Sequence, residues 1–151
     1  MIIKTLVENT ALSKDFGSEH GLSLYIETNS RKILFDVGAG ELFLENAKKL
    51  NVDISDVDYL IISHGHYDHG GGLKAFLREN TKAEVFLHRL AFEKYYALRS
   101  NDEPFQKRKK RKGLDKWFRF TSGCPCAARQ PPVYFQDTPL QQQTGLVWDF
   151  E

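Results

Sequence analysis

Ten residues constrain this chain more than any others: Ser63-His64-Gly65-His66-Tyr67-Asp68-His69-Gly70-Gly71-Gly72, in which three histidines and an aspartate fall within six positions before three glycines. They follow "VDYLII", residues 57–62, an apolar strand pattern bounded by acidic turn residues. A donor-rich loop at the carboxyl end of a buried strand calls for an α/β layered domain, in which strand-end loops carry function. Neutral imidazole and carboxylate are good ligands for zinc, manganese or iron. His64 and His66, two apart in a tight loop, are expected to share a face, and Asp68 and His69 follow where the glycines turn the backbone into the next helix. The spacing therefore predicts two donor pairs for two neighbouring ions. The whole chain has five histidines, so three in one window are more than a solvated polar loop would gather by chance.

The surrounding pattern supplies the layers. "MIIKTLVENT" reads as a strand, and "GLSLYIET" alternates Leu22, Leu24 and Ile26 with polar or amphipathic residues, as a half-buried strand does. "NSRK" makes a turn and "KILFDVG" a third strand, so residues 22–37 read as a hairpin. From Glu41 the period becomes helical: Phe43, Leu44, Ala47 and Leu50 share a face, Glu45, Lys48 and Lys49 point away, and Asn51 offers a stop. After the glycines, Leu73, Phe76 and Leu77 predict a helix through about Asn80; "AEVFLH" reads as a buried strand and "RLAFEKYYALR" as a helix.

The vocabulary changes after Pro104. Residues 1–104 carry 12 Lys and Arg against 16 Asp and Glu, a net of −4, whereas residues 105–151 carry 9 against 4, a net of +5. All six glutamines, both tryptophans and both cysteines lie in the second segment. It holds six consecutive cations, Lys107 to Lys112, and a Pro/Gln-rich stretch without period, where "PVYF" alone resembles a strand. The expected organisation is 1–104 as a folded unit and 105–151 as an atypical basic tail, frame-shifted or disordered. A run of lysine and arginine codons suits an adenine-rich tract, in which a reading frame shifts easily. No apolar run approaches the roughly 20 residues that span a bilayer, and the start lacks an export signal, so a cytoplasmic location without membrane attachment is expected. Cys124 and Cys126, one residue apart, are poorly placed for a mutual disulfide.

The cluster "SHGHYDHGGG" resembles the H-x-H-x-D-H signature of the metallo-β-lactamase superfamily, and "HGLSLYIET", "KILFDVGAG" and "DISDVDYLIIS" resemble the first half of that fold, so residues 1–99 are covered. Within it, "EHGLSLYIE" and "ILFDVGAG" are most similar to the dihydropterin-forming, methanopterin-related branch of metal-dependent hydrolases. The resemblance implies the amino-terminal half of an αββα sandwich with two metal ions, zinc first and manganese or iron as alternatives, at one edge. It implies that His64 and His66 ligate one ion and Asp68 and His69 the other. Water activated there would attack a carbonyl or phosphoryl centre of a small-molecule substrate, with Asp68 also orienting that water. Asp36 would support the metal loop by hydrogen bonding.

Family members complete the site with a later histidine, a bridging carboxylate and a last histidine, whereas here only His88 follows His69. His88 sits too soon and reads as structural; Asp137 and the Cys124/Cys126 pair have no adjoining motif. With two donors for each ion, weak metal binding and an inactive copy are the expectation. Two other readings stand beside hydrolysis. Cations 107–112 near Trp117, Phe118 and Phe120 suit nucleic-acid binding, although such a run is most often a solvated segment. A catalytically silent half sandwich would expose an apolar sheet face for a second copy to cover in a homodimer.

Overall fold

Alternating side chains divide the strands of this protein between two faces of one sheet. The computed structural model describes residues 1–92 and, beyond them, the backbone of short strands at 96–97, 109–110 and 133–136. The elements are β1 (Ile2–Val7), β2 (Ser23–Glu27), β3 (Lys32–Phe35), α1 (Leu42–Lys49), β4 (Tyr59–Ile62), α2 (Tyr67–Gly70), α3 (Leu73–Glu79), β5 (Glu84–His88), β6 (Tyr96–Ala97), β7 (Lys109–Lys110) and β8 (Val133–Gln136). The main sheet has the order β1-β2-β3-β4-β5-β8. β1, β2 and β3 pair antiparallel, as the expected hairpin requires, and β3, β4, β5 and β8 run parallel.

Tyr25, Leu34, Leu60 and Val85 lie in register across four strands and are all buried. They belong to one core cluster with Phe43 and Ala47 of α1 and Leu73 and Phe76 of α3. Each of the leucine, valine and phenylalanine side chains among them contributes roughly 1.5–3 kcal/mol on burial. The alternate residues Leu24, Phe35, Ile61 and Phe86 are also in register and only half buried. The sheet is thus closed by helices on one face and more open on the other. Among the described residues no helix is long and apolar enough to cross a membrane.

α1 forms where the period predicts it, with Glu45 in its first turn and Lys48 and Lys49 in its last, charges that favour the helix dipole. Asn51 ends it at φ 51°, a left-handed conformation that asparagine tolerates. Two expectations need correction. Residues 89–99 are not one helix: Arg89–Phe92 is a 3-10 turn, its Leu90 N–H donating to His88 Nδ1 at 3.2 Å, and Tyr96–Ala97 pairs antiparallel with Lys109–Lys110. Backbone pairing across the chain here overrides local spacing. That same pairing places a strand within the basic run, where none was expected, whereas "PVYF" does yield β8 beside β5. Cys124, Cys126, Asp137, Trp117, Phe118 and Phe120 lie outside the described residues.

Candidate metal centre

Asp36 ends β3 in a left-handed conformation, φ 57°, with its side chain fully buried. Asp reaches that region more readily than most residues, and its short carboxylate is turned toward the end of β4. Ser63 N–H donates to Oδ1 at 2.8 Å, and Ser63 Oγ donates to Oδ2 at 2.7 Å. His69 Nδ1 lies 2.8 Å from the same Oδ2; a carboxylate only accepts, so this nitrogen carries the hydrogen and Nε2 keeps its lone pair.

The direction of these bonds propagates into the other histidines. Ser63 Oγ gives its hydrogen to Asp36, so it accepts from His64 Nδ1 at 2.9 Å, which leaves the lone pair of His64 on Nε2. His64 Nε2 in turn lies 2.9 Å from His66 Nδ1. Two ring nitrogens therefore face one point and share one proton. The rings of His64 and His66 meet edge-on with centroids 4.6 Å apart, and those of His64 and His69 lie 4.2 Å apart. The expected common face of His64 and His66 is present.

Asp68 and His69 sit on α2, a single helical turn, rather than in an open bend. Val37 N–H donates to His69 O at 2.8 Å, tying α2 to the turn after β3. That close approach explains the glycines after the cluster: a Cβ at Gly71 would stand 2.4 Å from Ala39 O, and one at Gly72 2.3 Å from Val37 O. Asp68 is buried, at 3% exposure, and among the described residues its Oδ1 has no hydrogen-bond partner. Its Oδ2 lies 3.2 Å from His20 Nε2.

Do these residues suit a cation? The proton between His64 Nε2 and His66 Nδ1 marks where a small cation would be held, and two nitrogens on one tetrahedral zinc stand roughly 3.3 Å apart, only slightly wider than observed. A buried carboxylate oxygen without a donor is a costly group in a protein and a ready cation ligand. Asp36 behind His69 supplies the outer carboxylate that orients metal-binding imidazoles. Among the described residues, however, no three His, Cys, Asp or Glu side chains converge as one metal-holding group. The rings that meet are those of His64 and His66 and of His64 and His69, while the Asp68 carboxylate faces His20.

His88 does not join them; it is exposed and accepts from the turn that follows β5. It lines, with Tyr59, Ile61, Ser63 and Phe86, a groove of about 520 Å³ on the more open side of the sheet. Two contributors escaped sequence reading. Ser63, adjacent to the cluster, couples His64 to Asp36, and His20 reaches Asp68 from the loop before β2. Their only sequence signal was a hydroxyl immediately before the first histidine and a histidine immediately before Gly21.

Comparison with known proteins gives a consistent picture. Residues 17–151 match the family described as the metallo-beta-lactamase superfamily. An uncharacterized protein of Methanocaldococcus jannaschii is 41% identical over 97 residues, covering 64% of this chain and 38% of that protein. The 7,8-dihydropterin-6-methyl-4-(beta-D-ribofuranosyl)-aminobenzene-5'-phosphate synthase of the same organism is 39% identical over 102 residues, 63% of this chain and 35% of the synthase. The crystal structure of a metal-dependent hydrolase of the beta-lactamase superfamily superposes with a TM-score of 0.52 at 36% identity, covering 63% of this chain and 33% of that one. The chain spans little more than a third of the length of these relatives.

Proposed function

The chain belongs to the metallo-beta-lactamase superfamily, and from that premise we propose that it is built for metal-dependent hydrolysis of a small-molecule ester, amide or phosphoester, with His64 and His66 holding one cation and Asp68 and His69 a second. Zinc is the first choice, because imidazole and carboxylate in tight pairs suit it, with manganese or iron as alternatives. When bound, such ions supply Lewis-acid polarisation and make water acidic enough to act as a nucleophile near neutral pH. The protein's part is orientation. Asp36 accepts from Ser63 and His69, and Ser63 passes the constraint to His64, so that these two imidazoles are held in a fixed orientation. Asp68 Oδ1, buried and without a donor, is the oxygen available to a cation and to the attacking water. The half-buried groove beside Ser63 offers an apolar wall to the substrate body through Tyr59, Ile61 and Phe86.

The observation that carries this reading is the hydrogen-bond chain that converges on Asp36 from two sides of the histidine cluster. A purely solvated loop has no reason to tie one imidazole directly, and a second through a serine hydroxyl, to a fully buried carboxylate. The test is the metal content of the purified chain beside a His66→Ala, Asp68→Ala double variant, followed by screening ester and phosphodiester hydrolysis. Metal retained by the wild type and lost by the variant supports the assignment; equal content in both overturns it.

A further inference from the structure

We propose that residues 20–22 form a positioning element for Asp68, with His20 fixing which carboxylate oxygen is offered to a cation; this rests on the metal-site reading above. Three contacts converge from this short segment on one residue. Leu22 N–H donates to Asp68 O at 3.3 Å. Gly21, at φ 156°, lets the backbone pass so close that a Cβ there would lie 2.3 Å from the same oxygen. His20 Nε2 stands 3.2 Å from Asp68 Oδ2. The segment is anchored in turn, because Gly38 N–H donates to Leu22 O at 2.9 Å.

The asymmetry of the contact gives it meaning. The His20 side chain is 69% exposed and belongs to no packed cluster, yet its inner nitrogen is directed at a buried carboxylate. Nε2–H donates to Oδ2 and stops the carboxylate rotating about its last bond, so Oδ1 keeps its direction. Without that donor the two oxygens exchange places, and a cation must order the group at the cost of its rotational freedom. His20 is thus a positioning residue, acting through Asp68 from a loop remote in sequence from the histidine cluster.

The test is cobalt(II) titration of the chelator-treated full chain, followed by visible absorption, for wild type, His20→Ala and His20→Gln. Glutamine places an amide N–H near the position of Nε2–H. His20→Ala should weaken cobalt binding about 10- to 100-fold, His20→Gln should recover most of the loss, and all three metal-free proteins should melt alike. Wild-type affinity in His20→Ala, no recovery in His20→Gln, or a lower metal-free melting temperature in His20→Ala would each overturn the positioning role and leave the metal site standing. A wild-type chain that takes up no cobalt would overturn the metal site itself and the role of His20 with it.

Discussion

The two ends of β4 both carry buried polar networks, and they are built to opposite rules. At the entry end, Asn80 donates twice through Nδ2, to Ile54 O and Val57 O, and accepts twice through Oδ1, from Lys82 N–H and Ala83 N–H. Nearby, Asp58 accepts from Lys32 N–H. Side chains there serve backbone groups, and the buried amide uses its full capacity. At the exit end most of the bonds join side chain to side chain, Ser63 Oγ and His69 to Asp36, His64 to His66 and His20 to Asp68, alongside Ser63 N–H to Asp36 Oδ1. Among the described residues one buried side-chain oxygen, Asp68 Oδ1, is left over. A saturated network holds a fold together, whereas an unsaturated one costs stability and is kept for what it can bind.

Breaking the entry end should produce the largest effect on stability. Asn80→Ala removes four hydrogen bonds and strands buried backbone groups, which is expected to cost about 4 kcal/mol in a denaturant midpoint experiment. Metal uptake by the protein that remains folded should not change; a loss below about 1 kcal/mol would erase the contrast between the two ends. Asp36→Asn probes the exit end. Asparagine accepts the left-handed backbone and keeps one acceptor for Ser63 N–H, but it cannot also accept from both Ser63 Oγ and His69 Nδ1. Stability should fall by about 1–2 kcal/mol, while zinc affinity falls about 10- to 100-fold in a competition assay with a chelating dye. Unchanged affinity would reduce Asp36 to a turn residue.

The smallest effect concerns Asp56, exposed at the entry end. Its hydrogen bonds to Lys32 and then Lys82 hold the carboxyl down at about 2, below its ordinary 3.8. A depressed folded value means that this ion pairing stabilises the protein above about pH 4 and is lost as pH falls towards 2. Asp56→Asn should therefore melt slightly below wild type at pH 7, and the gap should close on acidification and shrink with added salt. A gap that persists at pH 2 would separate the effect from ionisation.

Much of this was legible in the sequence, for physical reasons that also mark where legibility stops. β2, β3 and α1 announce themselves because a half-buried element imposes a period, although in β2 the buried face is that of Ser23 and Tyr25 and not the Leu24 and Ile26 face that the apolar alternation suggested. The histidine cluster was conspicuous because its donors are neighbours in sequence. Asp36 came only through resemblance, since its partners lie about 30 residues away. His20 and Ser63 were missed for the same reason: their roles exist only once β2, β3 and β4 are aligned side by side. The failure at residues 89–99 is of another kind, because helical spacing there was outcompeted by a strand partner more than ten residues further on.

Stability itself offers the most direct test of the claim that the exit end of β4 is reserved for a cation. Melting temperature is measured with and without excess zinc for wild type and Asp68→Asn. At a hundredfold excess over the dissociation constant, binding should raise the wild-type melting point by roughly 5 to 10 °C. The variant should melt no lower than wild type without zinc, since it removes an unsatisfied buried carboxylate, and should lose most of the zinc response. An Asp68→Asn protein that is destabilised without zinc, yet gains as much from zinc as wild type does, would contradict the account.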